Sequence, residues 1–130
     1  MNSITVVVGI PHKILNPNNA PRTAHGIKGK DAERKRQRDS AWKCSLSALD
    51  GRDAPMWEYA RVHARYYHKN KRNMGKRDAD NAIASLKGAI DGIADAGIVV
   101  NDSGIRWGEV ELEHVDPSFP RVELVVFQEV

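Results

Sequence analysis

Apolar residues recur along this chain with two different periods. Ile83, Leu86, Ile90 and Ile93 return at helical spacing and, at about 100° per residue, form one stripe, which predicts a helix over residues 79–96. Asp78 stands before it as an N-cap and Gly97 after it as a C-terminal stop. Residues 57–68 alternate instead, with Ala60, Val62, Ala64 and Tyr66 on one face of a predicted strand. Arg61, His63, Arg65 and Tyr67 occupy the other face.

The remaining segments follow from the same patterns. A β-branched run over residues 5–10, bounded by Pro11, predicts the first strand. Residues 12–29, rich in Pro, Asn and Gly, predict a long loop. Residues 31–49 predict a helix that is polar all round in its first half, with Trp42, Leu46 and Leu49 as an apolar stripe in its second. Residues 69–77 predict a flexible basic loop, and Ile98 to Val100 a short strand. Residues 105–115 and 122–130 predict two strands, joined through Asp116-Pro117-Ser118-Phe119-Pro120 as an antiparallel hairpin. Glu109, Glu111 and Glu113 alternate along the first of these, on a face expected to meet water, with a place for one of them beside the carboxylate site as the alternative. Two helices against a mixed, mostly antiparallel sheet make an α+β fold, and 130 residues suit a single domain spanning 1–130.

Composition narrows the function. No apolar run is long enough to span a membrane and the N-terminus does not read as a signal peptide, so a cytoplasmic protein is expected. Cys44, the single cysteine, permits neither an internal disulfide nor a thiolate metal cluster. The five histidines show no ligand-like pair on a helix, which argues against zinc. Gly26-Ile27-Lys28-Gly29-Lys30-Asp31 has the wrong glycine spacing for a phosphate loop, and Asp31 stands where Ser or Thr is needed.

The formal net charge of +3 hides a partition. Residues 22–43 carry +5 and residues 61–77 carry +7, the latter without a single acidic residue, whereas residues 78–130 carry −8. Cations of this density suit a polyanion, and Arg61, Arg65, Lys69, Lys71, Arg72, Lys76 and Arg77 are the predicted DNA-backbone contacts, with plain surface solubility as the alternative. The arginines and lysines around Arg34-Lys35-Arg36-Gln37-Arg38 suit either water or phosphate.

The acidic half holds the candidate chemistry. Asp78 and Asp80 lead into the central helix and Asp102 follows it, so three carboxylates separated in sequence are candidates to converge on a hard divalent cation, which prefers oxygen ligands. Measured from Asp80, Lys87 lies at roughly −20° and Asp91 at roughly +20°, so a charged row runs along the rim of the apolar stripe. Each group also has an ordinary use. Asp78 caps, Asp80 favours the helix dipole, Lys87 pairs with Asp91, and Asn101-Asp102-Ser103-Gly104 makes a polar turn.

Taken together, Arg77-Asp78-Ala79-Asp80-Asn81, Lys87-Gly88-Ala89-Ile90-Asp91-Gly92-Ile93, Ala96-Gly97-Ile98 and Asn101-Asp102-Ser103 resemble the RusA family of Holliday junction resolvases. The opening strand with Asn16-Pro17-Asn18-Asn19, and the final strand, extend the likeness weakly over most of the chain. The resemblance implies a RusA-like fold and a small homodimeric, magnesium-dependent endonuclease of phage or prophage type that acts on branched DNA. It implies that Asp78, Asp80 and Asp102 are the Mg²⁺ ligands and catalytic carboxylates, and that Lys87 is the lysine important for cleavage. Lys87 follows Asp80 by seven residues, where the family pattern has four. The alternatives from other classes are a non-catalytic branched-DNA-binding protein and a nuclease acting on flaps or duplex.

Overall fold

The computed structural model describes residues 2–74 and 78–130. Its sheet contains β1 (Ser3–Val8), β2 (Ala60–His68), β3 (Ile105–Val115) and β4 (Arg121–Gln128) in the spatial order β1-β4-β2-β3. β4 runs antiparallel to both β1 and β2, while β3 runs parallel to β2. The expected mixed, mostly antiparallel α+β architecture is therefore present. The expected hairpin is not, because β3 and β4 flank β2 on opposite sides. Their connection crosses the end of β2, where the Asp116 amide donates to the His68 carbonyl at 2.8 Å. Hydrophobic alternation fixes which face of a strand is buried but not which neighbour it pairs with.

One face of the sheet is the core. Ile4, Val6 and Val8 of β1, Val122, Leu124 and Val126 of β4, and Ala60, Val62, Ala64 and Tyr66 of β2 are all buried there. The helices α1 (Ala24–Leu49), α2 (Lys71–Met74), α3 (Ala79–Ser85) and α4 (Lys87–Asp95) account for the rest. The parallel pairing of β2 and β3 needs a crossover, and α2, α3 and α4 lie on it. The residue 69–77 segment is thus not wholly loop, since Lys71–Met74 forms one helical turn. Ile98 to Val100 gives no strand either, because Val99 makes only an isolated bridge with Trp57.

Two departures in the helices shape the site. The first helix starts near Thr23, whose hydroxyl accepts from the Gly26 amide at 3.0 Å, and so includes residues read as loop. Gly26 and Gly29 lower helix propensity, but the cap and the packing outweigh it. Its buried face is Ala41, Ser45 and Leu49, leaving Trp42 and Leu46 at 41% and 43% exposure. Small residues face inward because α4 meets them with glycines. A Cβ on Gly92 would lie 2.7 Å from the Ala41 Cβ and 2.8 Å from the Trp42 amide nitrogen, and one on Gly88 2.8 Å from the Arg34 carbonyl.

The predicted central helix breaks at Leu86 into α3 and α4. The Leu86 amide bonds the Ile83 carbonyl at 3.0 Å, a tight turn that leaves the Ala82 carbonyl without the Leu86 donor. The Tyr66 hydroxyl, from the sheet, donates to that carbonyl at 3.1 Å, and Gln37 Nε2, from α1, donates to the Ser85 carbonyl at 2.8 Å. The Ser85 hydroxyl donates back to the Asn81 carbonyl at 2.7 Å, a bond that bends helices. Side chains inserted into the ladder account for the kink. Gly97, at φ 82°, ends the segment as the sequence predicts.

Candidate functional site

The glycine-lined contact between α1 and α4 sets the position of Arg38. With the two backbones so close, its guanidinium reaches Asp95 as a two-pronged pair, Nε to Oδ2 at 2.6 Å and Nη2 to Oδ1 at 2.8 Å. Arg38 and Asp95 line an open cleft of about 320 Å³ together with Asp91, Ala94, Val100, Asn101 and Asp102. A second cleft, bordered by Asp31, Arg34, Lys35 and Asp39, shares Arg38 and Asp91 with the first. Charged side chains of α1, both cations and carboxylates, and carboxylates of α4 and the following turn therefore line two adjoining clefts.

Asp91, common to both clefts, has a carboxyl pKa shifted upward. Burial pushes its proton affinity up, and Asp102 pushes it further as a hydrogen-bonding partner and a like charge, while Lys87 and Arg38 act in the opposite sense. Arg38 is held above its ordinary range by the bond to Asp95 and that carboxylate's charge, with smaller contributions from Asp91 and Asp102. Asp95 is correspondingly held below the usual carboxylate range by the Arg38 bond.

Of the residues singled out by sequence, Asp102 lines the cleft at the start of a short 3₁₀ turn, Asp102–Gly104. Lys87 opens α4, exposed, with its charge acting on Asp91. Asp78 and Asp80 do not line the cleft. Asp78 caps α3, accepting from the Asn81 amide at 2.8 Å and from Asn81 Nδ2 at 3.2 Å. Asp80 lies exposed in the first turn of α3. Among the described residues no three His, Cys, Asp or Glu side chains are grouped so as to hold a metal ion. The row drawn from Asp80 through Lys87 to Asp91 on one straight helix is interrupted at Leu86, and the carboxylate that Asp102 meets is Asp91.

The predicted DNA contacts divide. Arg61 is bonded to Glu129 through Nε and Nη2 at 3.0 and 2.6 Å, and Arg65 Nε to Glu111 at 2.9 Å, so the β2 cations are neutralised in place. Lys69, Lys71 and Arg72 are exposed and pair with no carboxylate among the described residues. Lys76 and Arg77 lie outside the described residues.

A divalent cation fits the cleft in one respect. Mg²⁺ takes oxygen ligands, often only one or two carboxylates from protein, with water and substrate phosphate supplying the rest. Asp91 and Asp102 are two such groups lining one cleft, and the charge of Asp102 opposes that of Asp91, a repulsion that a cation relieves. The charge pattern puts Asp91 at the rim of the apolar stripe without a ligand role, names Arg38 only within the basic run 34–38, and does not mark Asp95. Asp91 and Asp95 stand four apart on α4, a visible signal; the Arg38–Asp95 pair spans 57 residues and is set by helix packing. No family model matches this chain, and no curated protein matches it.

Proposed function

We propose that the chain is a metal-dependent endodeoxyribonuclease of RusA type, resolving four-way DNA junctions by paired nicks as a cytoplasmic homodimer. The observation that supports this reading is the cleft in which Asp91 and Asp102 meet, with Lys87 acting on Asp91 and the cations of α1 along its margin. Asp91 and Asp102 would hold Mg²⁺, which when bound lowers the pKa of a water and neutralises charge on the phosphoryl oxygens. Asp78 and Asp80 remain the ligands that the family resemblance expects. Lys87 offers a cation to the phosphate or the leaving oxygen and offsets repulsion between the carboxylates. Lys69, Lys71 and Arg72, with Arg34 and Lys35, would follow the DNA backbone, and two copies related by a two-fold axis would suit the near two-fold symmetry of a junction.

Asp78 acting as a cap, and the separation of Asp78 and Asp80 from the cleft, favour the rival in which the chain binds branched DNA without cutting it. A nuclease acting on flaps or duplex shares the chemistry and differs in the DNA shape it accepts. Cleavage of a synthetic four-way junction against a matched duplex, with Mg²⁺ and with chelator, separates these readings. Wild type should nick the junction symmetrically only with Mg²⁺, and Asp91→Asn and Asp102→Asn should abolish nicking. Asp80→Asn tests the family assignment. Tight junction binding with no nicking refutes the nuclease reading.

A further inference from the structure

We propose that Arg38 is the side chain that grips a DNA phosphate at the carboxylate cleft, and that Asp95 holds it in position to do so. The inference rests on the nuclease reading of that cleft and adds to it a residue from a different helix. Asp91, Asp95 and Asp102 leave the cleft with a surplus of negative charge, which repels a phosphodiester unless cations stand beside it. Lys87 contributes from the first residue of α4. Arg38 is the cation that lines the carboxylate cleft itself and also the adjoining cleft bordered by Arg34 and Lys35.

Its geometry fits the task. A guanidinium carries five N–H donors in a rigid plane. Asp95 engages Nε and Nη2, which leaves Nη1 and the second Nη2 hydrogen, and half of the side chain, at 50%, is exposed. A carboxylate on one edge of an arginine fixes the plane, so the opposite edge meets a phosphate without first losing rotamer freedom. A purely structural purpose explains this arrangement less well. Ion pairs as exposed as this one contribute little stability, and α1 is already held on α4 by the close contact at Gly88 and Gly92. The arginines on β2 differ, because Arg61 and Arg65 are paired on the far face of the sheet, away from Asp91 and Asp102.

The test compares wild type, Arg38→Gln, Arg38→Lys and Asp95→Asn, each checked for its melting temperature. It measures junction cleavage with Mg²⁺ and the salt dependence of junction binding in chelator. Arg38→Gln should lower kcat/KM by about 100-fold and reduce the slope of log affinity against log salt by about one. Arg38→Lys should restore the slope but not the planar fork, remaining about tenfold below wild type in kcat. Asp95→Asn, which keeps the cation and frees its plane, should keep the salt slope and lose activity. A structural tie alone would shift the melting temperature without moving the slope. If wild type cuts junctions and Arg38→Gln cuts them with unchanged kcat, KM and salt slope, the assignment of Arg38 is overturned and the nuclease reading survives. If Arg38→Gln fails to fold, Arg38→Lys retaining full kcat/KM overturns the assignment equally. If wild type cuts nothing with Mg²⁺, the nuclease reading fails and takes this inference with it.

Discussion

Replacing Gly92 by alanine places a methyl group between two helix backbones. The new Cβ would sit 2.7 Å from the Ala41 Cβ and 2.8 Å from the Trp42 nitrogen, closer still to the Arg38 carbonyl, where ordinary contact begins at 3.4 Å. Two of those three neighbours are backbone atoms, so the strain cannot be relieved by turning a side chain. Alanine in a helix interior gains about 1 kcal/mol over glycine, whereas forcing a methyl into a packed interface costs about 1–3 kcal/mol and occasionally more. With backbone on the far side the upper end applies, and the net expectation is a loss of about 2 kcal/mol. Gly29→Ala is the internal control, because its nearest neighbour, Ile14 Cδ1, lies at an ordinary 3.8 Å. It should stabilise by up to about 1 kcal/mol. Urea denaturation of the three proteins, compared at equal m-value, reads both signs. A Gly92→Ala protein as stable as wild type, or more so, refutes the close approach of α1 to α4. Because the Arg38 carbonyl is one of the displaced atoms, the same variant should also disturb the carboxylate cleft.

Three further outcomes follow from the packing. Tyr66→Phe removes the donor to the Ala82 carbonyl at the helix break and leaves a buried acceptor unpaired, which should cost about 1–2 kcal/mol in the same urea assay. Asp95 has a folded pKa below its ordinary value because Arg38 stabilises its charged form, so its contribution is present above the unfolded pKa and disappears as pH falls through the folded one. The stability difference between wild type and Asp95→Asn, small for a pair this exposed, should therefore shrink as pH is lowered below the ordinary carboxylate range, and a difference that grows on acidification refutes the pairing. Trp42 is 41% exposed, whereas Trp57 is 6% exposed and Trp107 is partly buried, so Trp42→Phe should remove the largest single share of the iodide-quenchable tryptophan emission.

Alternation along Ala60, Val62, Ala64 and Tyr66 was enough to identify the buried face of β2, because a period of two leaves only one choice of face. Strand order was not legible in this way. β4 buries apolar residues on the core face and β3 packs partly buried ones against it, and nothing local distinguishes a hairpin from two strands that flank a third. The first helix misled for a related reason. Trp42 and Leu46 are its large apolar residues, so the hydrophobic stripe runs through them, yet the face that packs is built from Ala41 and Ser45 because its partner presents Gly88 and Gly92. Close packing of small residues against glycine carries little hydrophobic signal in either helix alone.

The same contact explains why the candidate site was half legible. Asp102 and Lys87 stood out through spacing near one helix, and both act on Asp91 in the structure. The expected convergence on Asp78 and Asp80 assumed that residues 79–96 form one straight cylinder. Gln37 and Tyr66 take the Ser85 and Ala82 carbonyls and break that cylinder at Leu86, so the phase carried from Asp80 does not continue into α4. Gln37 immediately precedes Arg38, so a single stretch of α1 both supports the break and delivers the guanidinium to Asp95. The break and the arginine are linked consequences of docking α1 on α4. Gln37→Ala should accordingly disturb the Arg38–Asp95 pair as well as the helix break, and it tests that linkage without altering any charged group.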